Sequence, residues 1–277
     1  MAGSELIDKE FAFYLLLVTI TLMNKRLVAG NWKMNPATVI EAKNLARKFR
    51  LAAASLERTE AVICPPFPYI SVCKSREIPK NFFLGAQSAS TEVDTGPHTG
   101  EVSATMLKDM GVEYVVVGHS EQRQKGDTDA NVSKRLRNVL EQGMQAIVCV
   151  GENTRDPEGS YLESLKNQIR NSLEGVAKKF TKDIVIAYEP VWAIGGKDAM
   201  RPEDVYETSL FVKKIFADVF TPDAGIKTRV LYGGSVNSHN APDIITIGKA
   251  DGFLVGRESV NSVGFVELLR AVDTLDI

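Results

Sequence analysis

The stretch "IVIAYEPVWAIGG" (residues 184–196) opens on five apolar residues, stops them at the carboxylate Glu189, and then runs through Pro190-Val191-Trp192 to a glycine pair. Residues 184–188 do not alternate polar with apolar, so a strand here has to be covered on both faces. Strands of that kind belong to parallel sheets sheathed in helices. An acid at the end of such a strand admits two readings. It is either solvated surface where the chain leaves the core, or a group doing chemistry under a loop that closes over it.

The same pattern recurs along the chain. β-Branched apolar runs lie near 26–31, 60–64, 82–87, 114–118, 145–151, 184–189, 229–232 and 252–255. Helical patterning separates them, as in "ATVIEAKNLARKFRLAAASL" (37–56), "DANVSKRLRNVLEQG" (129–143), "YLESLKNQIRNSLEGVAKKF" (161–180) and "RPEDVYETSLFVKKIFADVF" (201–220). Eight strands alternating with helices, with no long linker, predict an α/β fold: a single (β/α)8 barrel over residues 23–277 with its active site at the C-terminal ends of the strands. A doubly wound open sheet is the rival, and the first strand lacks the G-x-G-x-x-G of its dinucleotide-binding form.

Composition narrows the function. The 277 residues carry 33 Lys and Arg against 35 Asp and Glu, a net charge of −2. No global basic field exists to hold nucleic acid or an anionic membrane, so any anion site is built locally. Cys64, Cys73 and Cys149 lack metal-ligand spacing, and an odd number in a chain this long suits a reducing, cytoplasmic compartment. Residues 1–22 stand apart. "FAFYLLLVTITLM" (11–23) is too short to span a bilayer, and it follows Glu5, Asp8, Lys9 and Glu10 rather than a basic segment. This segment is expected to be a dispensable extension.

In a barrel the strand ends carry the chemistry. The first ends in "GNWKMN", where two-residue spacing puts Asn31 and Lys33 on one side and Trp32 on the other. Taken alone, Lys33 is either a fixed cation at the barrel mouth or a solvated stem packed on the rim. The fourth ends in "VVVGHSEQR" with His119; His98 and His239 sit in loops that read as surface. The sixth ends on Glu189, the seventh in "LYGGSV" and the eighth in "FLVGRES", whose glycines let backbone N–H groups approach an anion. No cluster suggests a metal, and no nucleophile elbow is present. An acid, a histidine, a lysine and a backbone anion pocket suit proton transfer on a small phosphorylated carbonyl compound without a cofactor.

"AGNWKMN", "GHSEQR", "AYEPVWAIGG", "YGGSV" and "DGFLVG", in that order, resemble the triosephosphate isomerase family, as do "CPPFPY", "AQSAS" and "TGEVSATMLKD". The resemblance runs from about Met23 to the C-terminus. It implies interconversion of dihydroxyacetone phosphate and D-glyceraldehyde 3-phosphate, a step of glycolysis and gluconeogenesis, by a homodimer. In that family a glutamate is the base and a neutral histidine the electrophile, which the resemblance assigns to Glu189 and His119. It gives Lys33 the balancing of substrate charge with Asn31 helping, and Glu121 the place of a buried acid near that lysine. Backbone N–H groups of Gly195, Ser235, Gly256 and Arg257 would hold the phosphate, Pro190-Val191-Trp192 would hinge a lid, and Thr99 would reach the partner's site.

The chain also departs from the family's pattern. Gly196 replaces the usual Thr of the lid, and Asp198-Ala199-Met200 occupies its second hinge. Arg257 stands where a second glycine is usual, with its side chain free to pair with Glu258 or touch the ligand. Gln122 replaces an Arg, and Pro97-His98 alter the loop that reaches across the dimer. Two alternatives remain open on the sequence: an isomerase of a longer phospho-ketose such as a tetrulose phosphate, and a silent sugar-phosphate-binding barrel.

Overall fold

The computed structural model describes residues 25–156, 158–193 and 199–275. Its strands are β1 (Arg26–Asn31), β2 (Thr59–Cys64), β3 (Phe82–Ala86), β4 (Tyr114–Val117), β5 (Gln145–Val150), β6 (Ile184–Tyr188), β7 (Arg229–Tyr232) and β8 (Gly252–Val255). They close into a barrel in chain order, and β8 pairs in parallel with β1 through Leu27↔Gly252 to Gly30↔Val255. The open sheet is thereby excluded. The 1–22 extension lies outside the described residues.

Around the barrel run α1 (Val39–Ala53), α2 (Ile70–Cys73), α3 (Ala104–Asp109), α4 (Ser120–Arg123), α5 (Asp129–Glu141), α6 (Ser160–Ser172), α7 (Pro202–Val219), α8 (Pro222–Lys227), α9 (Ala241–Thr246) and α10 (Ser262–Asp273). Local chemistry sets several of their starts. Thr38 and Glu41 form a reciprocal capping box on α1, and Thr128 caps α5 through the Asn131 N–H. Pro202 opens α7, where its missing N–H costs no helical bond. The helix expected over 161–180 is shorter. It ends at Ser172, and Gly175 turns the chain at φ +71°, a conformation that favours glycine.

Strand alternation divides the core in two. Leu27, Val62, Val116, Ile147, Val185 and Leu231 pack inside the barrel, while the intervening strand residues face the helices. On the outer side Trp32, Phe49 and Phe265 meet edge-on, with ring centroids 6.3 and 4.8 Å apart. Each such fully buried side chain contributes about 1.5–3 kcal/mol. At the N-terminal end of the barrel, Arg229 bonds Glu60 at 2.7 Å, the Tyr114 hydroxyl at 3.2 Å and Gln145 at 3.0 Å. Those bonds pair the Arg229 charge with Glu60, and the reactive side chains gather at the opposite end.

Candidate active site

Glu189 is the first residue past β6, and the barrel ladder fixes it from both sides. Its N–H donates to the Val150 carbonyl at 2.8 Å, and the Gly233 N–H donates to the Tyr188 carbonyl at 2.8 Å. The glycine after β7 is required here, because a Cβ on Gly233 would lie 2.9 Å from Glu189 Cγ. The carboxylate is buried, yet among the described residues no arginine or lysine pairs with it directly. Oε2 accepts from the Ser120 N–H at 2.9 Å, and Oε1 lies 3.1 Å from His119 Nε2. Burial pushes this carboxyl up. The His119 ring and its hydrogen bond, the Ser120 amide and Lys33 together pull harder the other way, leaving it below its ordinary 4.5.

His119 follows β4 across Gly118, which takes φ +71°. A Cβ on Gly118 would also crowd Val132 at 2.9 Å. The imidazole is buried and its tautomer is fixed by its neighbours. Nδ1 accepts from the Glu121 N–H at 3.2 Å, so it carries no hydrogen and Nε2 does. The ring is therefore a neutral donor aimed at Glu189. Sequence reading brought these two residues to one mouth, and they are in contact.

Lys33 arrives differently from the expected strand alternation. β1 ends at Asn31, and Lys33 turns out of it at φ +53°, rare for a side chain with a Cβ. Two contacts hold that turn: the Lys33 N–H donates to Asn31 Oδ1 at 3.0 Å, and Gln87 Nε2 donates to the Lys33 carbonyl at 2.8 Å. Gln87, inside the quoted "AQSAS", was not singled out as functional. Its signal was only a polar side chain at the end of an apolar strand. Lys33 Nζ pairs with Glu121 Oε1 at 2.6 Å. Glu121 corrects an expectation: its side chain is 49% exposed, because α4 turns it outward over the rim.

The eighth loop lies against Lys33, since a Cβ on Gly256 would sit 3.3 Å from Lys33 Cε. Ser259 Oγ ties this loop to β1 through the Asn31 carbonyl at 3.0 Å. Arg257 keeps a negative φ, so its backbone N–H needs no glycine. It forms no ion pair with Glu258 among the described residues; that carboxylate accepts from Asn261 Nδ2 at 3.1 Å. The carbonyl of Ser235, at the seventh strand end, accepts from Asn240 Nδ2 at 3.3 Å. Thr99 sits on an exposed loop with His98, and His239 is exposed as read. Gly195, Gly196 and Asp198 fall outside the described residues.

One cluster escaped sequence reading. Glu152, two residues past β5, is buried, and its Oε1 accepts from Tyr188 Oη at 2.7 Å, Arg155 Nε at 2.8 Å and Trp192 Nε1 at 2.9 Å. Arg155 Nη2 also donates to Tyr188 Oη at 2.9 Å and Thr208 Oγ1 at 3.1 Å. Its guanidinium lies 4.8 Å from the Tyr161 ring centroid and 5.5 Å from that of Trp192. Burial first, and then the Glu152 charge, push the Tyr188 phenol well up. The start of the 191–198 loop is thus bolted to β5 and β6. Its far side is held by the Met200 N–H donating to Tyr232 Oη at 3.0 Å.

This arrangement can take a proton from carbon at Glu189 and steady a developing oxyanion with His119 Nε2–H and Lys33. Comparison with known proteins agrees with that chemistry. A family model described as triosephosphate isomerase matches residues 26–272. A triosephosphate isomerase of Alkaliphilus metalliredigens is 38% identical over 250 residues, covering 90% of this chain and 100% of its own. Those of Thermus thermophilus and Dictyoglomus turgidum are 41% and 36% identical over 251 residues each, again covering 90% of this chain and 99% and 100% of theirs.

Proposed function

The chain belongs to the triosephosphate isomerase family and interconverts dihydroxyacetone phosphate and D-glyceraldehyde 3-phosphate, and from that premise we propose how its residues divide the reaction. Glu189 is the base. Its carboxylate takes a proton from the carbon beside the carbonyl, the C–H electron pair moves toward the carbonyl oxygen, and an enediolate forms. His119 Nε2–H and Lys33 stabilise that oxyanion; a single preorganised donor of this kind is typically worth about 3 kcal/mol of barrier. Glu189 then returns the proton to the neighbouring carbon. Asn31 positions Lys33, and Glu121 tempers its charge.

The resting contacts support a change in basicity on binding. Two donors, Ser120 N–H and His119 Nε2–H, hold the carboxylate below its ordinary value. Substrate that takes over the His119 donor and draws the carboxylate inward removes both, and a buried carboxylate with fewer donors is a stronger base. Backbone N–H groups of Gly195, Ser235, Gly256 and Arg257 receive the phosphate, and the 191–198 loop closes over it to exclude water.

The single observation carrying this reading is the 3.1 Å approach of His119 Nε2 to Glu189 Oε1, with Nδ1 engaged elsewhere. A coupled isomerase assay tests it. Glu189→Gln is expected to lower kcat by about 100-fold to 10,000-fold with the fold intact, and turnover near that of the parent sinks the assignment. We further propose a cytoplasmic homodimer. Met34, beside Lys33, is 93% exposed, and the loop bearing Thr99 is exposed as well. A large apolar side chain left bare beside a functional lysine is the kind of surface a partner covers.

A further inference from the structure

One largely buried cation takes no part in the chemistry above. Arg123 ends α4, and its side chain is only 16% exposed. Nε donates to the Gly118 carbonyl at 2.7 Å, and Nη1 to Asp129 Oδ1 at 2.5 Å. Nη2 donates to the Cys149 carbonyl at 3.3 Å and to Ser172 Oγ at 3.0 Å. The guanidinium packs directly on the exit of β4, since a Cβ on Gly118 would sit 3.0 Å from Nη2. Gly118 precedes His119, and Cys149 precedes Val150, whose carbonyl receives the Glu189 N–H. One planar group thus ties together the strand ends behind both reactive side chains. Helix α6 backs the same wall: Gln168, one turn before Ser172, accepts from the Gly151 N–H at 2.7 Å. These bonds involve neither the His119 ring nor the Glu189 carboxylate, so substrate can engage those groups without loosening them.

We propose that Arg123 is a positioning residue for the isomerase reaction. It fixes the backbone from which His119 projects against the end of β5, to which the Glu189 backbone is bonded. The inference rests on the roles given above to Glu189 and His119. A rigid fork of donors reaches acceptors spread over β4, β5 and α6 while Asp129, at the start of α5, balances its charge. An ammonium on a flexible stem cannot span them. Without the fork, the Gly118 peptide, held at φ +71°, is free to rotate, and the Nε2–H of His119 loses its aim. A donor aimed at a developing oxyanion acts in the transition state, so its misplacement lowers turnover rather than ground-state binding.

Steady-state kinetics of the full-length chain test this. Arg123→Lys keeps a charge beside Asp129 and is expected to lower kcat by about 10-fold or more, with KM within about twofold. Arg123→Ala is expected to lower kcat by about 100-fold. Guanidinium chloride below denaturing concentration is expected to raise the kcat of Arg123→Ala by about fivefold or more, whereas sodium chloride at equal ionic strength does not. Support by bulk alone would lower the melting temperature and leave the kcat of the folded protein in place. Ser172→Ala removes one acceptor of the fork without stranding a charge; it is expected to lower kcat by about threefold and serves if the arginine variants fail to fold. Folded variants that all keep kcat within about twofold of the parent overturn the assignment, as does a loss carried wholly by KM. Glu189→Gln, run alongside, separates the two readings. Parental turnover in that variant removes the base assignment and the role of Arg123 with it. A large loss there beside parental kcat in the folded Arg123 variants removes the role of Arg123 alone.

Discussion

Gly151→Ala probes how tightly the barrel fixes the base. Gly151 follows β5 directly, and a Cβ there would lie 2.6 Å from the Glu189 carbonyl carbon and overlap its oxygen. Real Cβ contacts essentially never fall below 3.0 Å, so the end of β6 has to retreat by roughly 1 Å or more. Retreat is resisted, because the Glu189 N–H is bonded to Val150 and the neighbouring Tyr188 carbonyl to Gly233. The strain therefore passes into the carboxylate's placement against His119. A misplacement of about 1 Å costs on the order of 100-fold in rate, equivalent to about 2.7 kcal/mol of barrier. Overpacking adds about 1–3 kcal/mol of instability, and at this chain length each kcal/mol lowers the melting temperature by about 2–4 °C. The coupled assay is expected to show kcat down about 100-fold with KM little changed, beside a melting curve lowered by several degrees. A folded Gly151→Ala protein within about threefold of parental kcat refutes the idea that carboxylate placement depends on this contact.

Three other outcomes follow from the same geometry. Ser120→Pro removes one N–H from the Glu189 carboxylate at a helix-opening position that tolerates proline. The charged form loses a donor, the carboxyl's pKa rises, and the acid limb of kcat/KM moves to higher pH than in the parent; an unmoved limb contradicts the donor's role. Arg155→Met strips buried Glu152 of its cation, and thermal unfolding is expected to show a loss of about 3 kcal/mol, whereas an unchanged melt denies that the pair holds the loop's root. Met34→Glu is expected to halve the sedimentation mass of the parent dimer; a parent that already sediments as a monomer sinks the dimer proposal.

The barrel was legible because fully covered strands announce themselves in every window. The expected strands over 26–31, 229–232 and 252–255 have the observed bounds, and most of the others overran by one residue at the functional end. That overrun has a cause. Gly118, Gly151 and Glu189 directly follow the apolar runs in sequence but lie one residue past the strand ends at Val117, Val150 and Tyr188, where the chain turns into the loops that form the site. His119 with Glu189 was readable from position and residue type. The left-handed turn at Lys33 was not, since nothing in "NWKMN" marks φ +53° on a lysine held by Gln87, 54 residues away. Nor was the Glu152–Arg155–Trp192 cluster, in which a pair three residues apart after β5 meets Trp192, 40 residues on, only when the barrel closes. Glu121 meets Lys33 as the resemblance implied, but the resemblance carries no information on burial, and on this short helix its side chain lies exposed.

The cysteines offer a practical return. Cys64, Cys73 and Cys149 are free and buried, Cys64 and Cys149 on strands β2 and β5 of the barrel wall and Cys73 at the end of α2 outside it. Burial pushes the thiols of Cys64 and Cys73 up to about 12 and that of Cys149 well above its usual value. Thiolate is the form that alkylating reagents capture, so the closed barrel is chemically silent to them at neutral pH. Uptake of a maleimide label would then time the opening of the wall, strand by strand: Cys64 reports β2 and Cys149 reports β5. The molecule carries its own stopwatch for the moment its sheet comes apart.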